Sequence, residues 1–326
     1  MAQKKSGEPA TETPLPLLLW AGGCETWECD FLGHMNVRYY AERAQQGWAP
    51  FAAAIKLPNA FHREAVSTLL PRDIHLRCHR EIRPGEFAIM RGGVAEIGED
   101  YVVLYQELRK GLAGEEIAAT YRVVLEHVEA KTGKPFHWSQ KARDAMAQYQ
   151  ISAIPKHGAA RSFDLNAPLT PINKARAQEL NVPLVAMSMQ QAHECDSLGR
   201  MRTEFILGRQ SNSWSGLAAP FAKEIEKILG ESGYNSVFSG ALVETRLTPR
   251  QWPKAGDVIQ TYCGLIEVNP KTFRFIIWAI DSVSGECFFA TDSVLVNFDI
   301  KARKAFEGPE PYQTLMKKYV VKGLTI

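Results

Sequence analysis

The sequence predicts an α+β protein in which one unit, a long helix followed by an antiparallel sheet, occurs twice. Three observations carry this. Apolar residues recur at helical spacing from Val37 to Ile55 and then, after Pro58, at the alternating spacing of strands. The same change of period recurs in the second half. A short motif is also repeated: W-E-C-D-F-L-G-H-M-N returns as H-E-C-D-S-L-G-R-M-R, with Asp30 and Asp196 displaced by 196 − 30 = 166 positions.

In order, Leu15 to Cys29 reads as an extended segment leading into the first motif, interrupted by Gly22 and Gly23. Asn36 is suited to cap the helix that carries Val37, Tyr40, Ala41, Ala44, Trp48, Phe51, Ala52 and Ile55 on one stripe. Pro50 falls inside that pattern and should kink or divide the helix, because it has no backbone N–H to donate. Strands are expected at Ala65 to Pro71, Ile74 to Arg83, Phe87 to Ile97, Tyr101 to Arg109 and Ile117 to Val128. Turn signals at Pro84-Gly85, Gly98 to Asp100 and Gly111 to Gly114 separate the later ones. Ile74, Leu76 and Cys78 alternate with Asp73, His75 and Arg77, which predicts one buried and one polar face.

Ser139 caps a short helix to Gln150, and Ile151 to Pro168 is a Gly-, Pro- and Ala-rich linker. Thr170-Pro171 should open a further helix through Leu180, with Val182 to Met189 as the second extended lead-in. Ala219-Pro220-Phe221 repeats Ala49-Pro50-Phe51 at 220 − 50 = 170, so about four extra residues enter around Gln210 to Gly216. Helical spacing follows at Phe221, Ile225, Ile228 and Leu229, then strands at Leu242 to Leu247, Val258 to Glu267, Thr272 to Asp281 and Cys287 to Phe298. The resulting division is a disordered tail (1–14), a first domain (15–137), a linker with short helices (138–180) and a second domain (181–326). The two domains should pack as a pseudo-dimer, sheets side by side and helices turned from solvent.

Composition limits the function. Among 326 residues 45% are hydrophobic, and 38 Lys and Arg meet 36 Asp and Glu for a formal charge of +2, so nothing points to nucleic acid or a membrane surface. Leu15 to Trp20 is too short for a signal-peptide core, and no apolar run approaches the roughly 18 residues needed to span a bilayer. A cytoplasmic protein is expected, monomeric or self-associated. Six scattered cysteines suit reduced thiols, with Cys29 and Cys195 packing beside the repeated acids. His75, His79 and Cys78 do not make a metal set, because strand alternation sets Cys78 opposite the histidines. No metal and no cofactor is expected.

The chemistry concentrates in the first motif. A carboxylate beside a helix start is favoured as the anion by backbone N–H groups and the helix dipole, which makes Asp30 available as nucleophile or as base toward water. The helix amides near Val37 and Arg38 can hold an oxyanion, and His34 and Asn36 can orient water or substrate. Asp, Gly and Asn are also ordinary loop and capping residues. The second copy separates these readings: it keeps Asp196 but replaces His34 with Arg200 and Asn36 with Arg202, so the fold requires neither His nor Asn there.

D-F-L-G-H-M-N-V-R-Y-Y resembles the D-x-x-G-H-M-N-x-x-Y signature of hotdog-fold thioesterases of the 4-hydroxybenzoyl-CoA thioesterase type, and is similar to the acid, His and Asn segment of plant acyl-carrier-protein thioesterases. R-E-I-R-P-G-E and V-A-E-I-G-E-D-Y resemble that family's later strands and turns. The resemblance spans about residues 15–137 and, more weakly, 181–307. It implies a double hotdog, each half a long central helix wrapped by an antiparallel sheet, and an acyl-CoA thioesterase in which Asp30 is the catalytic carboxylate and the amide near Val37 takes the oxyanion role. Coenzyme A then enters only as part of the substrate. Asp196, Arg200 and Arg202 form a degenerate second site in which the guanidinium groups pair with the acid. Two alternatives stand beside this: a hotdog hydratase or dehydratase, whose D-x-N-P-x-H pattern this sequence lacks, and a non-catalytic acyl-CoA-binding protein.

Overall fold

The computed structural model describes residues 15–233 and 238–326; the tail expected at 1–14 lies outside them. The first half runs β1 (Leu17–Gly23), α1 (Val37–Gln46), α2 (Trp48–Ala54), β2 (Ser67–Cys78), β3 (Phe87–Ile97), β4 (Tyr101–Lys110), β5 (Glu116–Glu129) and α3 (Gln140–Ala147). After α4 (Lys174–Glu179), the second half repeats the order as β6 (Leu184–Met189), α5 (Thr203–Ala218), α6 (Ala222–Glu231), β7 (Phe238–Pro249), β8 (Val258–Val268), β9 (Thr272–Asp281), β10 (Cys287–Asp299), β11 (Lys304–Ala305) and α7 (Glu310–Lys317). The described strands form one sheet in the order β1-β3-β4-β5-β2-β7-β10-β9-β8-β6, with β11 on β10. The halves meet where β2 and β7 pair antiparallel, Ile74 opposite Leu247 and Arg77 opposite Glu244.

Local chemistry sets the helices. Asn36 caps α1, its side chain accepting from the Arg38 amide. The chain divides at Gly47, three residues before Pro50, so that the proline sits in the first turn of α2, where a missing N–H costs nothing. Tyr40, Ala44, Trp48, Phe51 and Ile55 form the buried stripe against Leu76, Leu104, Tyr121 and Val123. Tyr121 Oη donates to the Tyr40 carbonyl at 2.9 Å and Tyr40 Oη to the Arg80 carbonyl at 3.2 Å, which fixes α1 along the sheet. Phe205, Ile206 and Leu207 of α5 join the same core, so the two motif helices pack on each other across the junction. The second copy has no break matching Gly47; its extra residues extend α5 into an unbroken sixteen-residue helix.

Three local expectations are corrected. The strands expected at Ala65 to Pro71 and Ile74 to Arg83 are one strand, β2, with a bulge between Pro71 and Asp73 that accommodates the proline. The helix expected from Thr170 starts at Lys174, because Asn173 rather than Thr170 turns its side chain to the first free amide, that of Arg176. The polar face of β2 is not solvated: Asp73, His75 and Arg77 are all buried.

The linker covers that face as a strap. Arg77 Nη1 donates to the carbonyls of His157 and Ala159, both at 2.7 Å. Arg246 on β7 pairs with Asp73 at 2.7 Å and donates to the carbonyls of Asp164 and Leu165. Glu244 accepts from the Arg161 amide and Ser162 Oγ and lies 2.7 Å from His75 Nε2. Arg77 and Arg246 therefore tie the linker to the junction.

His79, beside the strap, has its pKa lowered to about 4 by burial first, then by the positive charge of Arg77 and of neighbouring His157 and Arg161. Between pH 6.5 and 4 the unfolded chain therefore binds a proton that the folded chain refuses, and stability falls as pH falls through that window. We expect the thermal midpoint to drop between pH 7 and pH 5, and His79→Gln to flatten that slope. Glu107 and Glu244, whose carboxyls are held below the ordinary value against burial by their hydrogen bonds, add their own loss only at lower pH.

Candidate active site

The first motif is a closed loop. The Asp30 amide donates to the His34 carbonyl at 3.1 Å, that of Gly33 to the Asp30 carbonyl at 2.9 Å, and that of Asn36 to the Glu28 carbonyl at 2.8 Å. Gly33 sits at φ +75°, where a side chain would be strained. Beneath the loop a buried Glu28–Arg43 ion pair joins it to α1. Glu194 and Arg209 form the same pair in the second half, at 3.0 Å and at the same offset of 166. This support escaped the sequence reading, although the repeat held the signal: Glu and Arg recur together fifteen residues apart.

Asp30 Oδ1 accepts from the Leu32 amide at 2.9 Å and Oδ2 from Asn36 Nδ2 at 3.0 Å. Asn36 uses both ends of its amide, its oxygen capping α1 through Arg38 N–H at 3.0 Å and its nitrogen orienting the acid. The Arg38 amide is thereby occupied and leaves the oxyanion set, and the Arg38 guanidinium lies over the Phe205 ring at 4.1 Å as a packing group. Among the described residues, the amide of Val37 has no hydrogen-bond partner. One free N–H therefore stands at the helix start beside the carboxylate.

His34 is held by residues the sequence did not single out. Its Nδ1 lies 3.1 Å from Glu81 Oε1 and 3.2 Å from Arg303 Nη2, and its Nε2 lies 4.0 Å from Asp30 Oδ1. Arg303 comes from the turn before β11 in the second half and also donates to Glu81 and to the Leu32 carbonyl. Burial works against the charge on Glu81, but the hydrogen bond from Arg303 and the neighbouring His34 leave its carboxyl below the ordinary value. Arg303 lies 269 positions from His34, and only the fold brings them together.

The loop opens on a cleft of about 1080 Å³ between the halves, lined by Asp30, His34, Asn36, Val37 and Tyr40 on one side and by Gln210, Asn212, Ser215, Leu242 and Phe298 on the other. Arg80, Arg83, Lys110, Arg303 and Lys304 line it with Glu81 and Glu86. Cys78 also lines the cleft, but burial pushes its thiol up to about 12, far from a thiolate at neutral pH.

The second motif repeats the loop and not the site. The Asp196 amide donates to the Arg200 carbonyl at 2.7 Å, that of Arg202 to the Glu194 carbonyl at 2.9 Å, and Gly199 sits at φ +76°. The expected pairing of Asp196 with Arg200 and Arg202 is corrected. Asp196 Oδ1 accepts from the amides of Leu198 and Arg200, while the Arg200 guanidinium extends to the Ala130 carbonyl of the first half and that of Arg202 lies 3.1 Å from Glu204. The loop turns the carboxylate inward to its own amides, and the long arginines leave it. Thr203, at the position matching Val37 (203 − 37 = 166), has its amide taken by Gln45 Oε1 at 2.7 Å. The position matching Gln45 is Ser211 (211 − 45 = 166), whose hydroxyl donates to its own helix at Leu207.

Residues 24–156 match the thioesterase-like superfamily. Solved structures resemble the chain over most of its length. A 12:0-ACP thioesterase from Umbellularia californica has 10% identity and a TM-score of 0.60, with 85% of this chain and 96% of that one covered. An acyl-ACP thioesterase from Bacteroides thetaiotaomicron has 12% identity and a TM-score of 0.58 over the same shares. A candidate oleoyl thioesterase from Lactobacillus plantarum has 10% identity and a TM-score of 0.62, covering 85% and 95%. At these identities the likeness is one of fold, and it extends across both halves. No curated protein matches the chain in sequence.

Proposed function

We propose that the protein is a double hotdog that hydrolyses acyl thioesters at one site, that of the first motif. The superfamily match over 24–156 and the fold of the three thioesterases support the reaction class. The observation that carries the site is the contrast between equivalent amides: Val37 N–H is free beside Asp30, whereas Thr203 N–H is filled by Gln45. In this reading the thioester carbonyl accepts from Val37 N–H, which gains strength as negative charge develops on the oxygen. Asp30 acts as base or as nucleophile. As base it takes a proton from water while the water oxygen attacks the carbonyl carbon; the C–S bond then breaks and the thiolate leaves, to be protonated by Asp30 or solvent. Asn36 orients Asp30, and His34, held by Glu81 and Arg303, positions water or substrate.

The cations at the cleft suit the phosphorylated arm shared by coenzyme A and acyl-carrier protein, since Arg and Lys bind phosphate oxygens. The test is release of free thiol from a panel of acyl-CoA and acyl-carrier-protein thioesters. Thiol release from at least one is expected; loss of enoyl absorbance without thiol release would instead identify a hydratase.

A further inference from the structure

A second cavity, of about 660 Å³, opens at the degenerate motif, and it carries a different chemistry from the first. Arg63, Arg72, Lys131, Arg200, Arg250 and Lys254 line it, with Glu126 as its single carboxylate. Glu126 is already paired with Arg72 at 3.0 Å. The remaining charge is therefore uncompensated from within the site.

Two of these arginines are set into the wall. Arg200 is 8% exposed; its guanidinium donates to the Ala130 carbonyl and leaves a buried Nη1 with no partner. Arg250 leaves both Nε and Nη2 buried without a partner. Among the described residues, every other guanidinium atom left so is an Nε; the only terminal nitrogens are these two, and both arginines face this cavity. A buried guanidinium with open donors is costly unless an acceptor meets it. Burial presses both groups below the ordinary arginine value, which an anion would relieve.

We propose that this cavity is a binding site for a small phosphate-bearing ligand, held by Arg200 and Arg250 in the wall and by Lys131 and Lys254 at the rim. A multiply charged oxyanion is favoured over a single carboxylate because several cations line one cavity whose single carboxylate is already paired with Arg72. The volume lies in the range of metabolite-sized pockets, and Trp252 supplies one apolar wall. The substitution that put Arg200 where the first motif has His34 thus supplies one of its cations, and the site is independent of thioester chemistry in the first cleft.

Isothermal titration of the full chain with inorganic pyrophosphate at low ionic strength tests this. Wild type should bind it, with succinate much weaker, and Arg250→Gln should weaken pyrophosphate by about tenfold or more. The exposed double variant Lys131→Gln/Lys254→Gln should weaken it as well, which keeps the test decisive if Arg250→Gln folds poorly. Lys227→Gln, exposed on α6 and lining neither cavity, should leave the affinity unchanged. No binding by wild type, equal affinity for succinate, an unaffected double variant, or loss in Lys227→Gln would each overturn the proposal.

Discussion

Asp30→Asn is expected to lower kcat/KM for the best thioester by about 10²-fold or more, while Asp196→Asn leaves it near the wild-type value. The substitution keeps the shape and an oxygen able to accept from the Leu32 amide, so the loop survives while the anion is lost. Loss in both variants to the same degree would show two working sites and defeat the single-site reading. The paired experiment is informative because the two acids share one loop geometry: each accepts the amide two residues on, Leu32 or Leu198, through Oδ1. A role confined to that turn would be removed equally by both changes. His34→Ala and Asn36→Ala should cost less, since water can replace part of a positioning role. Asn36→Ala should also lose about 1 kcal/mol of stability through the cap on α1.

Glu244→Ala is expected to destabilise the protein by about 3–5 kcal/mol, seen as a lower urea midpoint. Glu244 lies on the first strand pair across the junction and gathers His75, the Arg161 amide and Ser162 at one buried carboxylate. Its removal strands three polar groups and loosens the strap that covers the β2–β7 seam. Glu244→Gln, which keeps the volume and an acceptor, should cost less. A loss below about 1 kcal/mol for Glu244→Ala, typical of an exposed pair, would show that water reaches the strap and that the buried description is wrong.

The repeat unit, its helix and most strand boundaries were legible in the sequence because they rest on local periods. Apolar spacing locates α1, alternation locates β3, β4 and β5, and the Asn36 cap follows from side-chain length and position. The cluster of Asp30, His34 and Asn36 was legible for the same reason: seven consecutive residues cannot be far apart, and the second copy showed which of them the loop itself requires. What the sequence did not decide depends on contacts made at a distance. Alternation marked Asp73, His75 and Arg77 as a polar face, but only the fold sets the linker over it and turns that face into a buried network. Two arginines lay six residues or fewer from Asp196, yet side chains of that length reach past their own loop, to Ala130 and Glu204. The tertiary structure alone placed Arg303 against His34 and Gln45 against the Thr203 amide, because both contacts arise where α1, α5 and the β10 turn meet across the junction between the two halves. Local pattern fixes which groups a loop presents; packing between the halves decides which of them are left open.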